Sequence, residues 1–335
     1  MADGRGQQAA ARPAARLVRP HPRRPGPQAA QVTHLTVAAR RPEHIVTAPQ
    51  NPSLACAFTD ALGQSFAPAG QDARIASLVP SLTETLFDLG LGPQIVARTG
   101  FCVHPADAVR DVPKVGGTKD VNLARLRRLA PTHVLVNVDE NTRDTVQALR
   151  EFVPQVLVTH PQDPHDNLAL FDLLGGVFGA APGVRARARA QGDALRAVLQ
   201  TCQTQSWTPR RVLYLIWREP WMTVARDTYI SRTLASVGWQ TLPQTTGGDG
   251  LQAPGALRYP AFSWDAPWIR DVDLVLLSTE PYRFGPSHAG EVRSLLDARG
   301  SHAEVRLIDG EWCAWYGSRA VRSLPRLAAL ARTLG

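Results

Sequence analysis

Residues 74–90 read RIASLVPSLTETLFDLG. The apolar run Arg74–Val79 predicts a strand, and Ser81–Leu89 predicts a helix that ends at Gly90. Within that helix, Ser81-Leu82-Thr83-Glu84 fits a capping box, so we expect a structural role for Glu84 rather than a role as a functional acid. A strand that leads directly into a helix begins the alternation on which the fold assignment depends.

The same alternation continues downstream. Further strands are predicted at Ile95–Arg98, His133–Val138 and Gln155–Thr159, with helices at Asn122–Ala130, from a cap at Asn141 to Phe152, and at Asn167–Phe178. A second series follows, with strands at Arg211–Ile216, Leu274–Leu277 and Val305–Ile308, and helices from a cap at Thr228 to Val237, at Ser263–Arg270, Gly290–Ala298 and Ser318–Leu334. Strand–helix alternation of this kind predicts an α/β fold with mostly parallel sheets, covered on both faces.

Between the two series lies Val184–Gln203, a helical segment with no strand partner. At 1.5 Å per residue it spans about 30 Å, the width of a small domain. On these residues alone it is equally compatible with an ordinary crossover helix and with a connector between two lobes.

Charge is concentrated at the N-terminus. The chain has 335 residues and a net charge of +8, and residues 1–50 hold eight arginines against Asp3 and Glu43. The nearly neutral remainder argues against a nucleic-acid-binding face. Residues 1–72 are therefore predicted to be a disordered basic tail and linker, with no recognisable secretory signal. No apolar stretch is long enough to cross a membrane.

Large aromatic residues follow four of the predicted strands. They include Phe101, Trp217, Trp221, Tyr282, Phe284, Trp312, Trp315 and Tyr316. Ligands bind at the carboxyl ends of strands in open α/β sheets, and flat rings cover much ligand surface there. These residues indicate a ligand pocket, and packing within loops is the alternative.

The sequence contains none of the common catalytic or metal-binding patterns. The sequence has no GxGxxG, GxxxxGK[ST], HExxH or GxSxG pattern. Its four cysteines form no CxxC pair, and His104, His288 and His302 are predicted to be surface or capping residues. We therefore expect a binding protein that has no catalytic residues, no metal site and no cofactor besides its ligand.

Five segments in order carry a family resemblance. They are SLVPSLTE (77–84), VGGT (115–118), IWREPWMT (216–223), EPYRF (280–284) and WYGSR (315–319). Over residues 73–333 the chain resembles the helical-backbone class of substrate-binding proteins, specifically its cobalamin-binding branch, the periplasmic component of a cobalamin ABC importer.

The resemblance implies an α/β lobe at 73–181, a rigid connecting helix at 182–206 and a second α/β lobe at 207–335, with the ligand cleft between the lobes. It implies that Phe101 and Thr118 line the cleft from the first lobe. Trp217, Trp221, Tyr259 and Tyr316 would face them, with Arg319 as a polar contact. A corrin ring is broad, partly apolar and fringed with amides, which suits stacked rings and a few hydrogen-bonding groups.

The resemblance also implies partners. An ABC permease would dock on one acid of each lobe; Asp265 lies at the second position, but Ala124 lies at the first. We expect a monomer that binds no nucleic acid. The family implies the periplasm, whereas the absence of a visible signal keeps the cytoplasm open. The alternatives are a ferric-chelate or haem receptor of the same fold, and a non-secreted corrinoid carrier or salvage protein.

Overall fold

The computed structural model describes residues 58–248, 250 and 255–334. The tail predicted at residues 1–50 lies outside them. The first lobe opens with a hairpin of β1 (Phe58–Thr59) and β2 (Ser65–Phe66). The elements that follow are β3 (Ile75–Ser77), α1 (Pro80–Asp88), β4 (Ile95–Arg98), α2 (Leu123–Arg128), β5 (His133–Asn137), α3 (Arg143–Arg150), β6 (Gln155–Thr159) and α4 (Asn167–Val177). Strands β3 to β6 form a parallel sheet in the order β4-β3-β5-β6.

Both faces of this sheet are buried, as the sequence predicted. Side chains alternate across a strand, so Leu135 and Leu157 enter an apolar cluster with α1 and α4, whereas Val134 and Val156 enter the cluster on the opposite face. Because neither face meets water, the strands are continuous apolar runs rather than alternating ones.

Residues 58–72, predicted as part of the tail and linker, belong to the first lobe. Phe66 is buried, and Phe58 packs against the same apolar cluster. Asp60 accepts a hydrogen bond from the backbone N–H of Val158 at 3.0 Å, which fastens the hairpin to β6. The prediction was wrong for this stretch because two-residue strands have no periodicity that a sequence can display.

A single long helix, α5 (Val184–Thr204), follows the first lobe. Its buried residues recur every three or four positions, which places them in one stripe: Val184, Ala188, Gly192, Leu195, Leu199 and Cys202. The stripe packs against α4 and against the C-terminal helix. The predicted helix at Val184–Gln203 is therefore present and extends one residue further.

The second lobe repeats the plan of the first. Its elements are β7 (Arg210–Leu215), α6 (Tyr229–Ala235), β8 (Trp239–Thr241), α7 (Gly255–Arg258), β9 (Leu274–Ser278), α8 (Pro286–Asp297), β10 (Glu304–Ile308), α9 (Glu311–Ala314) and α10 (Ser318–Thr333). The parallel sheet has the order β10-β9-β7-β8. In each lobe, therefore, the second strand lies outside the first, and the third and fourth continue on the other side.

Helix α10 packs against both lobes. Ala320 and Leu324 pack in the apolar cluster of the first lobe, beside α1. Leu327 and Ala331, one to two turns later, pack in a cluster of the second lobe. Together α5 and α10 form a helical spine across both lobes, which accounts for α5 as a connector rather than a crossover.

Several local predictions were wrong. Helix α1 begins at Pro80 after Val79, so Ser81 and Glu84 lie inside it and form no capping box. Thr142, not Asn141, caps α3, because its hydroxyl accepts from the Thr145 N–H. The predicted helix at Ser263–Arg270 is a 3₁₀ turn at Pro267–Asp271, and β8, α7 and α9 were not predicted. Within the described residues, every helix is too short or too polar to span a membrane.

Candidate ligand-binding cleft

A cavity of about 520 Å³ lies between the lobes, where the carboxyl ends of the two sheets face each other. The first lobe contributes residues that follow β3, β4, β5 and β6, and the second contributes residues that follow β7, β9 and α9. This is the place where open parallel sheets bind ligands, because the loops after successive strands meet there. Its lining is mainly apolar and aromatic, with a few polar groups.

The first-lobe wall depends on the loop after β4. The Arg98 guanidinium is buried and donates to the carbonyl oxygens of Val109 and Cys102 at 2.8 and 3.0 Å. The amide of Asn141 donates to the Thr118 carbonyl at 2.9 Å. These contacts hold the loop in a fixed path and set Phe101 and Thr118 at the cavity.

The aromatic side chains of the cavity present large apolar surfaces. Phe101 is 62% exposed and Trp217 is 41% exposed, which is unusual for rings of this size in a soluble protein. Trp217 packs edge-on against Tyr282 at 5.6 Å between ring centroids, and Tyr316 packs in the same way against Tyr229 at 5.8 Å. Trp217 therefore keeps an accessible face for a flat ligand, whereas Tyr316 is only 5% exposed.

Five of the seven ligand contacts named from the sequence line this cavity: Phe101, Thr118, Trp217, Tyr259 and Tyr316. Phe101 and Thr118 come from the first lobe and the other three from the second, as the resemblance implied. Contact with a ligand remains a prediction for all five.

Trp221 was predicted to contact the ligand, but it does not line the cavity and is partly buried against the core of the second lobe. The chain reverses between Trp217 and Met222, whose backbones pair across the turn. Met222 consequently lines the cavity, while Trp221 packs edge-on against Trp264 at 5.3 Å and stacks on Phe284 at 6.1 Å. The prediction failed because the direction of a side chain in a tight turn does not follow from its sequence position.

Arg319, predicted as a polar ligand contact, also lies outside the cavity wall. Its guanidinium bonds to the carboxylates of Glu84 and Glu311 at 2.8 and 2.9 Å. The same guanidinium lies 5.0 Å from the ring centroid of Trp315, a cavity residue. Arg319 therefore connects α1 to α10 and supports Trp315. Glu84 is the first-lobe end of an inter-lobe ion pair rather than a helix cap.

A second ion pair crosses the cleft beside the cavity. Arg258 is fully buried and binds both oxygens of Asp139, at 2.9 and 3.0 Å. Burial alone would raise the pKa of Asp139, but the neighbouring His160, whose Nε2 lies 3.6 Å from the carboxylate, and the Arg258 guanidinium lower it below its ordinary value. Asp139 is thus an anion whose charge is matched by a cation from the opposite lobe.

The sequence analysis missed two further acids of the cavity. Burial raises the pKa of Glu140 to about 7, with Lys119 opposing the shift and Asp139 adding to it. Burial also raises the pKa of Glu280 to about 8, and the negative charges of Glu311 and Glu140 raise it further. Both acids follow the ends of predicted strands, so the criterion that selected the aromatic residues would have found them.

Within residues 58–248, 250 and 255–334, no three or more histidine, cysteine, aspartate or glutamate side chains are arranged to hold a metal ion. His104 is bound to Glu311 at 3.0 Å, across the lobes, and His288 accepts from the Gly285 N–H at the start of α8.

The two positions connected with docking lie on the surface. The side chain of Asp265 is 81% exposed and bonds to Arg299 at 2.7 Å. Ala124 is exposed at the start of α2, where Asn122 caps the helix. Their part in docking remains a prediction.

Comparison with known proteins agrees with this architecture. A family model described as periplasmic binding protein matches residues 75–280. The vitamin B12-binding protein of Vibrio campbellii is 25% identical over 272 residues, covering 80% of this chain and 90% of its own length.

Among solved structures, the periplasmic vitamin B12-binding protein BtuF of Vibrio cholerae superposes with a TM-score of 0.63 at 16% identity, covering 79% of this chain and 98% of its own. The periplasmic haem-binding protein HutB of Vibrio cholerae superposes at 0.61 with 21% identity, covering 77% and 98%. These solved structures share the two-lobed α/β fold, and the family model covers more than half of the sequence. The chain belongs to the periplasmic binding protein family.

Proposed function

We propose that this protein is a substrate-binding protein that takes a corrinoid such as cobalamin into the cleft between its lobes. The observation that carries the proposal is the composition of the cavity, in which Phe101, Trp217, Tyr259 and Trp315 form aromatic walls around buried carboxyl groups. The vitamin B12-binding proteins among its relatives support the same ligand class.

A corrinoid matches these walls in shape and in polarity. Its macrocycle is broad and partly apolar, so aromatic rings can cover its faces at little cost in conformational entropy. Its periphery carries amides, whose N–H groups need acceptors once water is removed. Carboxylates and carbonyl oxygens at the edges of the cavity provide such acceptors.

Haem is the second candidate, because haem-binding proteins share the fold. Haem carries two propionates, and these would meet Asp139, Glu140 and Glu280, with Lys119 as the one cation among the described lining residues. Burial raises the pKa values of Tyr229, Tyr259 and Tyr316, which disfavours the phenolate that would ligate ferric iron. Charge and ligation both favour the corrinoid.

The test is a titration of the purified protein with cyanocobalamin, followed by tryptophan emission and by calorimetry. We expect stoichiometric quenching, since Trp217 and Trp315 would lie against the ring. Absence of both heat and quenching at micromolar protein would refute the corrinoid. Tight binding of haemin with an iron–phenolate absorption band would instead support the second candidate.

An enzyme of corrinoid salvage is a further alternative. The sequence lacks the GxGxxG, GxxxxGK[ST], HExxH and GxSxG patterns, and the family is one of binding proteins. We expect bound cobalamin to be released chemically unchanged after long incubation, as mass spectrometry would report. A new corrinoid in the supernatant would contradict this expectation.

The family favours the periplasm as the place of action and an ABC permease as partner. Docking would use Asp265 on the second lobe, while Ala124 supplies no charge on the first. We expect weak, salt-sensitive binding to a cobalamin permease, with a gain for Ala124→Glu and a loss for Asp265→Ala, because interfacial charges set on-rate and specificity. A binding assay with the reconstituted permease compares the wild type, Ala124→Glu and Asp265→Ala at several salt concentrations. Tight association that ignores both changes would place docking on another surface.

A further inference from the structure

Two carboxyl groups of the cavity differ from the other acids around the cleft. Glu140 follows β5 in the first lobe and Glu280 follows β9 in the second, so they come from opposite walls. Asp139 is paired with Arg258, and Glu311 with Arg319. By contrast, neither Glu140 nor Glu280 has a cation within 4 Å among the described residues.

The charges around these two acids offset their burial only in part for Glu140 and not at all for Glu280. Lys119 lowers the pKa of Glu140, Asp139 raises it, and the Tyr316 hydroxyl donates to its carboxyl group at 3.5 Å. Glu280 faces Glu311, Asp309 and Glu140, with no cation among the groups that shift its pKa. An ionised buried carboxyl group without a close cation is costly, so each acid keeps its proton to a higher pH than usual, and its anion needs hydrogen-bond donors that arrive with the ligand.

We propose that Glu140 and Glu280 select the ligand, by accepting hydrogen bonds from amide N–H groups at its edge and by repelling ligands that carry carboxylates at the same positions. The inference rests on the proposed corrinoid function and specifies it: the cleft takes amidated corrinoids and rejects their carboxylated counterparts. The two acids act from opposite lobes, so a ligand must present donors on both sides to satisfy them.

Repulsion is the decisive part of this device. An aromatic wall binds the face of either ring equally well, so it cannot distinguish an amide fringe from a carboxylate fringe. Specificity between two such ligands requires an element that penalises the wrong one. A like charge at a desolvated position imposes that penalty, whereas an amide in the same place gains a charge-assisted hydrogen bond.

The experiment compares two ligands with the same macrocycle and no nucleotide. Dicyanocobinamide carries amides, and dicyanocobyrinic acid carries carboxylates. Dissociation constants are measured for the wild type, Glu140→Gln, Glu280→Gln and the double variant, with Glu151→Gln as a matched change on the exposed surface. At pH 9, where both acids are ionised, we expect the wild type and Glu151→Gln to prefer the cobinamide by at least about a hundredfold, and the double variant to lose at least about tenfold of that preference.

A second measurement needs no variant. The pKa values of Glu140 and Glu280 are about 7 and about 8, so both groups are mostly neutral at pH 6. The preference of the wild type should therefore be smaller at pH 6 than at pH 9. The inference is overturned if the wild type binds dicyanocobinamide and dicyanocobyrinic acid with equal affinity. It is also overturned if neither pH nor the double variant changes the preference. Either result leaves the proposed function standing. Failure of the wild type to bind either corrinoid overturns the proposed function, and the inference with it.

Discussion

Two tryptophans four residues apart have different environments. Trp217 is 41% exposed at the cavity, whereas Trp221 is partly buried and packs against Trp264 and Phe284 of the second-lobe core. Trp217→Ala should weaken cobalamin binding by roughly 1–3 kcal/mol, the range for a central aromatic anchor, with little change in stability. Trp221→Ala should instead lower the free energy of unfolding by roughly 2–4 kcal/mol, because it leaves a void in packed apolar surface.

Calorimetric titration and urea unfolding of both variants give the two quantities. The tryptophans serve as controls for each other, since the same chemical change is made within one turn. If Trp217→Ala unfolds easily while its folded fraction binds normally, the side chain belongs to the core and the assignment of the cavity wall is wrong.

Side chains could be assigned to the cleft from sequence where they come after the end of a predicted strand. Phe101 and Tyr316 come soon after elements that end at the cleft, so their positions could be inferred. Trp221 and Arg319 could not be placed, because a tight turn orients the first and carboxylates distant in sequence hold the second. Glu84 lies 235 residues from Arg319, and no local pattern reveals such a pair.

At the scale of elements, the start of α10 is fitted closely against α1. Gly317 has φ +73°, and a Cβ there would lie 2.1 Å from the Thr85 hydroxyl oxygen. Its N–H also donates to the Asn167 amide oxygen at 2.5 Å. Gly317→Ala should lower the free energy of unfolding by at least about 2 kcal/mol, since it adds both backbone strain and a clash.

Gly290→Ala is the control for that substitution. Gly290 lies inside α8 with open space around the position of a Cβ, so alanine should raise the unfolding free energy by about 0.5–1 kcal/mol. Denaturant unfolding at one pH compares the two. Equal effects would show that helix α10 does not depend on the close approach at Gly317.

The hairpin β1–β2 makes a second prediction at this scale. A chain that begins at Ser53 keeps the hairpin, whereas one that begins at Ala73 loses buried Phe66, the packing of Phe58 and the bond from Val158 to Asp60. We expect the first truncation to leave the melting temperature unchanged. The second should cost at least about 3 kcal/mol, from apolar burial alone. Thermal unfolding of both chains measures this, and equal stability would mean that the hairpin is a passive extension.

The elements that sequence analysis found are those with a pattern of their own. Strands β4 and β6 were predicted with the bounds observed, because each contains a short apolar run and is followed two residues later by Gly100 or Pro161. Strand β8 has three residues and helix α9 has four, which is too few to show the two-residue period of a strand or the 3.6-residue period of a helix. Contacts from the rest of the lobe determine these short elements, so their own residues do not reveal them.

At the scale of the whole molecule, two lobes of the same strand order face each other across the cavity. The alternation of strands and helices predicted the parallel sheets, and the resemblance predicted the connector. The relative position of the lobes was not accessible from local patterns, because it depends on α10 and on the pairs Glu84–Arg319 and Asp139–Arg258. Each of these contacts joins residues more than a hundred positions apart.

The two acids facing each other across the cleft make the stability of the ligand-free protein depend on pH. In the unfolded chain both glutamates titrate near 4.5, whereas in the folded protein the pKa values are about 7 and about 8. At these two groups the folded state therefore binds more protons than the unfolded state between about pH 5 and 8, so their contribution to stability falls as pH rises through that interval. His133, whose pKa is lowered by burial, acts in the opposite direction and is the same in the wild type and the variants. Asp139 has a lowered pKa, so its contribution is lost only in more acidic solution and does not mask the effect.

Urea unfolding from pH 5.5 to 8.5 should show this decline in the wild type and in Glu151→Gln. The double variant Glu140→Gln/Glu280→Gln should show a flatter profile and should be the more stable protein at pH 8.5. Parallel profiles for the double variant and the wild type would mean that the two acids are solvated in the empty cleft. They would then not lower the free energy of unfolding of the ligand-free protein.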